Sequence, residues 1–169
     1  NCIENILQPM HNKHIPVPGE KHYTATVFLM TQEYPQRILL MHHKKFDCWM
    51  PPGGHQENTE SPYEAAIREV REETGIDITK YLPQPETLDE RATSLPVPRY
   101  LLEERIDSRG DQPDHFHLDM TYVVSIPHQQ SVNAEEESNN LRWFGINEIN
   151  SIKMFKNVEA VVRKLLSRE

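Results

Sequence analysis

From His22 to Met30 the chain reads HYTATVFLM, a run of β-branched, aromatic and aliphatic residues that predicts a strand. Arg37 to His43 predicts a second strand, and the intervening residues 31–36, with Pro35 among them, predict a hairpin loop. Two longer strands are predicted over Arg99–Ile106 and His117–Ile126, joined through a turn segment that holds Gly110 and Pro113; a short one follows over Leu141–Phe144. Twice the period changes from two to that of a helix. Tyr63, Ala66, Ile67 and Val70 line one side of a helix that begins with unusual clarity. Ser61 takes the N-cap, Pro62 the first helical position, Glu64 completes a capping box, and Gly75 stops the helix after Thr74. Near the C-terminus Val158, Val161, Val162, Leu165 and Leu166 fall at i, i+3, i+4, i+7 and i+8, which predicts an amphipathic helix.

Between these elements the chain reads as loop. Residues 49–60 carry Pro51-Pro52-Gly53-Gly54, residues 80–98 carry four prolines, and residues 128–140 are polar. Residues 3–14 predict a short helix or an arm, so residues 1–20 are set apart as an N-terminal arm or short helix. The sum is a mixed sheet with one helix in mid-chain and another at the end: an α+β fold of the α/β/α sandwich kind. At 169 residues the chain suits one domain, 1–169, around one core.

Composition and charge narrow the function. No apolar run is long enough to cross a bilayer, so no membrane partner is expected. Asn1-Cys2-Ile3-Glu4 lacks the basic and apolar regions of a signal peptide, and two cysteines, Cys2 and Cys48, make no disulfide framework; both features point to the cytoplasm. With 18 Lys and Arg against 26 Asp and Glu, the formal net charge is −8. That opposes non-specific nucleic-acid binding, which needs clustered cations. It does not oppose a small phosphorylated substrate, because carboxylates can hold a cation that reverses the local field. A homodimer stays open.

The candidate chemistry lies on the first helix. Glu69, Glu72 and Glu73 are related by i+3 and i+4 and cluster on one side. Three carboxylates so close repel one another, and a divalent cation resolves the conflict. Hard oxygen donors in that number suit Mg²⁺ or Mn²⁺. A solvated acidic face would show the same three residues. The surrounding pattern decides between them: Gly54, five residues, Glu60, seven residues, then Arg68-Glu69-Val70-Arg71-Glu72-Glu73-Thr74-Gly75-Ile76.

At every specified position this segment resembles the Nudix box. Trp49 with Pro52-Gly53-Gly54 before it, and Leu141-Arg142-Trp143-Phe144 followed by Glu148-Ile149 after it, extend the resemblance more loosely over 22–166. The resemblance implies the Nudix fold and metal-dependent hydrolysis of a phosphoanhydride bond in a small-molecule diphosphate substrate, with a nucleotide or nucleoside-diphosphate derivative as the default. It implies Glu69, Glu72 and Glu73 as metal ligands, joined by the backbone carbonyl of Gly53. It further implies Arg68 as the residue that holds the carboxylates, also supported by an i,i+4 pairing with Glu72, and Glu60 as a structural carboxylate. The general base is expected to be Glu72 or Glu69, or else one of Glu135, Glu136 and Glu137 in the polar loop.

Nine histidines are many for this length. In a strand His115, His117 and Asp119 share one face, and His55 follows the glycine pair. His55 and His117, with Glu136, are candidate substrate contacts. A separate zinc site is conceivable but lacks Cys or a HExxH spacing. Two other functions belong to the same resemblance: isomerisation of prenyl diphosphates, which would draw on Cys48 and a Glu, and non-catalytic nucleotide sensing, in which box carboxylates are often lost. The intact box favours hydrolysis. After the box there is neither a Ser-Gln-Pro-Trp-Pro type segment nor the Tyr typical of diadenosine polyphosphate hydrolases, and residues 37–57 lack the coenzyme A pyrophosphatase motif.

Overall fold

The computed structural model describes residues 16–130 and 138–167, the side chains of 138–140 excepted. The strands are β1 (Lys21–Thr31), β2 (Ile38–His43), β3 (Cys48–Met50), β4 (Gly53–His55), β5 (Glu86–Thr87), β6 (Thr93–Ser94), β7 (Tyr100–Ile106), β8 (His115–Ile126) and β9 (Ser138–Phe144). The helices are α1 (Pro62–Thr74) and α2 (Lys156–Leu166), with short 3₁₀ turns at Thr79–Tyr81 and Ile149–Ser151. The main sheet runs β3-β2-β1-β8-β7; β4 pairs with β1 and β9 with β2. β1 and β8 are parallel, with Lys21 opposite Phe116 and Thr31 opposite Ile126, while β7 and β8 are antiparallel. The sheet is therefore mixed, as the sequence predicts. β5 and β6 form a separate two-stranded hairpin.

Alternation along β1 supplies both layers of the core. Ala25, Val27 and Leu29 face one way and pack with Tyr122, Val124 and Ile126 of β8 against Tyr63, Ala65, Ala66 and Val70 of α1. Phe28 and Met30 face the other way and pack with Ile38, Leu40, Phe144 and Ile149 against Val162 and Leu166 of α2. Each fully buried aliphatic or aromatic side chain contributes about 1.5–3 kcal/mol, so both helices are fixed by their apolar stripes.

α1 carries the caps that its sequence predicts. Ser61 accepts from the Glu64 N–H, and the Glu64 carboxylate accepts from the Ser61 N–H at 2.8 Å. Gly75 closes the helix at φ 74, a left-handed conformation that glycine adopts without a Cβ clash.

Four expectations need correction. Residues 49–60 are not simply loop, for they hold most of β3 and all of β4, and residues 80–98 hold the β5–β6 hairpin. Strands of three residues have no propensity signal of their own; they exist because β2 and β1 offer pairing edges. β8 starts at His115, two residues earlier than predicted, because Phe116 N–H donates to Glu20 C=O as the parallel pairing with β1 begins. β9 likewise starts before Leu141, at Ser138, paired with β2. Of the N-terminal arm or short helix expected over 1–20, residues 1–15 lie outside the described residues, and 16–20 make a turn tied to the main body by the Gly19 N–H to Asp114 C=O bond.

Candidate active site

β4 brings the glycine pair alongside β1, with Thr24, Ala25 and Thr26 opposite His55, Gly54 and Gly53. This close approach explains the glycines. A Cβ on Gly53 would stand 2.4 Å from the Ala25 carbonyl oxygen. A Cβ on Gly54 would stand 2.3 Å from Glu69 Oε1, so the carboxylate of Glu69 fills the space that a side chain there would take. One helical turn further, Glu73 Oε2 accepts from the Gly53 N–H at 2.9 Å. Two of the three box carboxylates thus sit against the glycine pair. Glu72 points outward and keeps about half its side-chain exposure.

Arg68 binds this group together. Its Nε and Nη2 form a fork on Glu60, at 3.0 Å to Oε2 and 2.6 Å to Oε1. Nη2 also donates to the His55 carbonyl at 3.0 Å. Nη1 is shared between Glu69 at 2.8 Å and Glu72 at 3.1 Å. The i,i+4 pair with Glu72 expected from sequence is present, but the fork on Glu60 is the stronger tether, because bidentate charge-assisted bonds fix both position and orientation. Glu60 in turn accepts from the Glu57 N–H at 2.9 Å.

Electrostatics separate the carboxylates. Burial pushes the Glu60 carboxyl up, but Arg68 and the Glu57 N–H outweigh it and hold the group below its ordinary range. Glu69 goes the other way: burial raises it, Arg68 only partly offsets that, and Glu72 and Glu60 add repulsion. Glu73 is pushed up to about 8 by burial, against the pull of the Gly53 N–H and with repulsion from Glu69 and Glu72. Arg68 itself is raised, first by its bonds to Glu60. A buried acidic group with one guanidinium is short of positive charge.

The donor set fits a hard divalent cation in its chemistry: carboxylates of Glu69, Glu72 and Glu73 on one helix face, beside the backbone of Gly53. As they stand, the side chains are engaged otherwise. Among the described residues no three His, Cys, Asp or Glu side chains converge in an arrangement that could hold a metal ion. Glu69 and Glu72 share Arg68 Nη1, and Glu73 is on the Gly53 N–H. An open groove of about 390 Å³ along α1 exposes Arg68 and Glu72 together with Glu60, Glu64, Ile67 and Arg71.

The histidine candidates lie on the other face of β4. His55 is opposite Thr24, and His117 of β8 is opposite His22 of β1, so strand alternation puts these rings on the side of the sheet away from Glu69. The ring centres of His55 and His117 are 4.9 Å apart. Burial and the neighbouring His55, His115 and His22 push His117 down to about 4. Beside them, buried Asp119 accepts from Thr24 and Thr26 at 2.8 Å and from Thr121 at 2.6 Å. Glu104 of β7, opposite His117, accepts from Asn157 of α2 at 2.6 Å and is raised by burial and by Asp119. Sequence reasoning missed Glu104 and the three threonines. The available signal was polar residues at positions 24, 26, 104 and 121, where the alternation calls for inward-facing side chains. Glu136, with Glu135 and Glu137, lies outside the described residues.

A family model described as a NUDIX domain matches residues 20–166. The uncharacterized Nudix hydrolase YvcI of Bacillus subtilis is 29% identical over 118 residues, which cover 70% of this chain and 64% of that protein. The chain thus spans less than two thirds of that relative's length. Among solved structures, a NUDIX-family hydrolase from Clostridium perfringens superposes with a TM-score of 0.66 at 25% identity, covering 86% of this chain and 95% of the other. The dihydroneopterin triphosphate pyrophosphohydrolase of E. coli superposes with a TM-score of 0.64 at 16% identity, covering 89% and 98%; at that identity the likeness is one of fold.

Proposed function

This chain belongs to the Nudix family, and from that premise we propose that it hydrolyses a phosphoanhydride bond in a nucleotide or nucleoside-diphosphate-linked small molecule, using Mg²⁺ or Mn²⁺. The observation that carries the proposal is the placement of Glu69 and Glu73 against Gly54 and Gly53, with Glu72 beside them and a single guanidinium among the three. In this reading Glu69, Glu72, Glu73 and the Gly53 carbonyl hold the ion. When bound there, the ion neutralises diphosphate oxygens and makes a water more acidic.

The chain's own residues do the rest. The Arg68 fork on Glu60 fixes the guanidinium, and Nη1 steadies the carboxylates of Glu69 and Glu72. Of Glu69, Glu72 and Glu73, Glu72 keeps about half its side-chain exposure, which supports it as the group that takes a proton from water through the oxygen not given to the ion. His55 and His117, on the opposite face of β4, are given no part in holding the diphosphate. Neither alternative finds support in the geometry. The Cys48 thiol is buried and pushed up by that burial, the wrong setting for the acid-base cysteine of an isomerase. A sensor that has lost carboxylates does not match an intact box.

The test is release of phosphate or pyrophosphate from a panel of nucleoside triphosphates, dinucleoside polyphosphates, nucleotide sugars and ADP-ribose, with Mg²⁺, Mn²⁺ or chelator. Turnover of one class is expected, abolished by chelator and lowered about 100-fold or more in Glu72→Gln. Turnover that persists in chelator, or in Glu72→Gln at the wild-type rate, refutes the proposal.

A further inference from the structure

Asp119 is 3% exposed on β8, and the proposed reaction makes no use of it. Its carboxyl gathers three hydroxyls. Oδ1 accepts from Thr24 and from Thr26 of β1, each at 2.8 Å, and Oδ2 accepts from Thr121 of its own strand at 2.6 Å. Thr24 and Thr121 are buried with it. Two residues beyond Thr26 on β1 and two beyond Thr121 on β8 the same face turns apolar: Phe28 stands opposite Val123, and both pack in the core layer of α2. Side chains of that kind could equally hold the sheet together, because a buried hydrogen bond contributes only about 1 kcal/mol net and costs more when a partner is lost. The polar set at 24, 26, 119 and 121 therefore calls for a second reason.

That reason lies where β4 pairs with β1. Thr24 is opposite His55, and Thr26 is opposite Gly53. Gly53 rests directly on Thr26: a Cβ there would stand 2.9 Å from Thr26 Cα and 3.1 Å from Thr26 Oγ1. The hydroxyl that donates to Asp119 thus also bounds the space beside Gly53, and the hydrogen bond selects its rotamer. The neighbouring backbone is tied down as well. Val27 N–H donates to the Pro52 carbonyl at 2.9 Å, and Gly53 N–H donates to Glu73 Oε2 at 2.9 Å. β4 is three residues long and pairs with β1, so its place depends on what β1 presents to it.

We propose that Asp119 is a positioning residue for the metal site: by holding the Thr26 hydroxyl against Gly53, it fixes the peptide that Glu73 grips and whose carbonyl serves the ion. The inference rests on the hydrolase reading, in which the Gly53 carbonyl is a ligand. Asp119 touches neither ion nor substrate. It acts through Thr26 and then Gly53, as an outer partner orients a ligand. Thr24 supplies the internal comparison. It donates to the same oxygen at the same distance as Thr26 but stands opposite His55, so it serves the sheet and not Gly53.

The experiment uses the full chain, freed of metal, as wild type, Thr24→Val, Thr26→Val and Thr26→Ser. Amide hydrogen exchange at Gly53 is read without metal, and Mn²⁺ affinity by electron paramagnetic resonance. Thr26→Val should speed Gly53 exchange and weaken Mn²⁺ binding, each by about tenfold. Thr26→Ser, which keeps the hydroxyl, and Thr24→Val should stay within about twofold of wild type in both. Asp119→Ala, where it folds, should match Thr26→Val and add little when combined with it. The inference is overturned if Thr26→Val keeps wild-type Gly53 exchange or Mn²⁺ affinity, if Thr26→Ser fails to restore them, or if Thr24→Val loses as much as Thr26→Val. Mn²⁺ bound equally by wild type and Thr26→Val would leave the hydrolase reading intact. Wild-type protein that binds no Mn²⁺ would refute that reading instead, and Gly53 exchange would still decide whether Asp119 positions the peptide.

Discussion

Arg68 and Glu73 show how single side chains carry opposite electrostatic loads. Arg68 is surrounded by acceptors, so losing its fork leaves the largely buried Glu60 carboxylate with the Glu57 N–H and no counter-charge. Arg68→Lys puts one point charge where a planar fork spanned two oxygens. It should lower thermal stability by about 1–2 kcal/mol and lower kcat/KM without restoring it at high substrate; equal stability and activity in the variant would contradict the assigned role. Glu73 is the reverse case. Its folded-state carboxyl stands near 8 against an ordinary 4.5, so the folded state binds the proton more tightly than the unfolded chain. The associated stability is fully present below about pH 4.5 and is lost as pH rises through 8. Metal-free protein should therefore melt lower at pH 8 than at pH 6. Glu73→Gln, whose amide oxygen can still accept from Gly53 N–H, should flatten that dependence and raise the pH 8 stability by on the order of 2 kcal/mol. A thermal melt series over pH 5–9 with and without the variant checks this; a Glu73→Gln curve that falls as steeply as the wild type would show that Glu73 is not the group titrating.

At the level of elements, helix α1 and strand β4 form one device. The helix was legible in nearly every detail, since capping residues, apolar stripe and stop signal are local chemistry. β4 was not, because Gly53-Gly54-His55 has no strand propensity and becomes a strand only through β1. The same limit hid the Glu60 fork, which depends on where the loop before α1 places a carboxylate. It hid Glu104 as well, whose partner Asn157 is 53 residues away on α2. By contrast, the shared face of His115, His117 and Asp119 followed from alternation alone and is found as expected. The β4–α1 fit yields a specific expectation for Gly54→Ala. The added Cβ meets the end of a flexible carboxylate, so the fold should tolerate it with a loss of about 1 kcal/mol or less, while Glu69 is displaced. Mn²⁺ affinity and activity should then fall much further than stability. Proportional losses in all three would mean that the glycine serves the backbone and not Glu69.

For the molecule as a whole, the sheet separates two kinds of surface. Its α1 side ends in a carboxylate group backed by Arg68; its α2 side ends in imidazoles, threonines and the buried Asp119. The family match over 20–166 spans both surfaces. The fold was readable at this scale because both layers of the core derive from the alternation of β1 and β8 and from two helical stripes. The cluster of side chains from β1, β4, β7, β8 and α2 on the other side was not, since these meet only in three dimensions. The central claim is that the box carboxylates gather a hard divalent cation, and Mn²⁺ titration of the metal-free protein with free Mn²⁺ counted by electron paramagnetic resonance tests it without knowledge of the substrate. The account predicts bound Mn²⁺ in the wild type and in His117→Ala, with affinity lower by about tenfold or more in Glu69→Gln and Glu73→Gln. Mn²⁺ binding that is absent from the wild type, or unchanged when these carboxylates are neutralised, would contradict it.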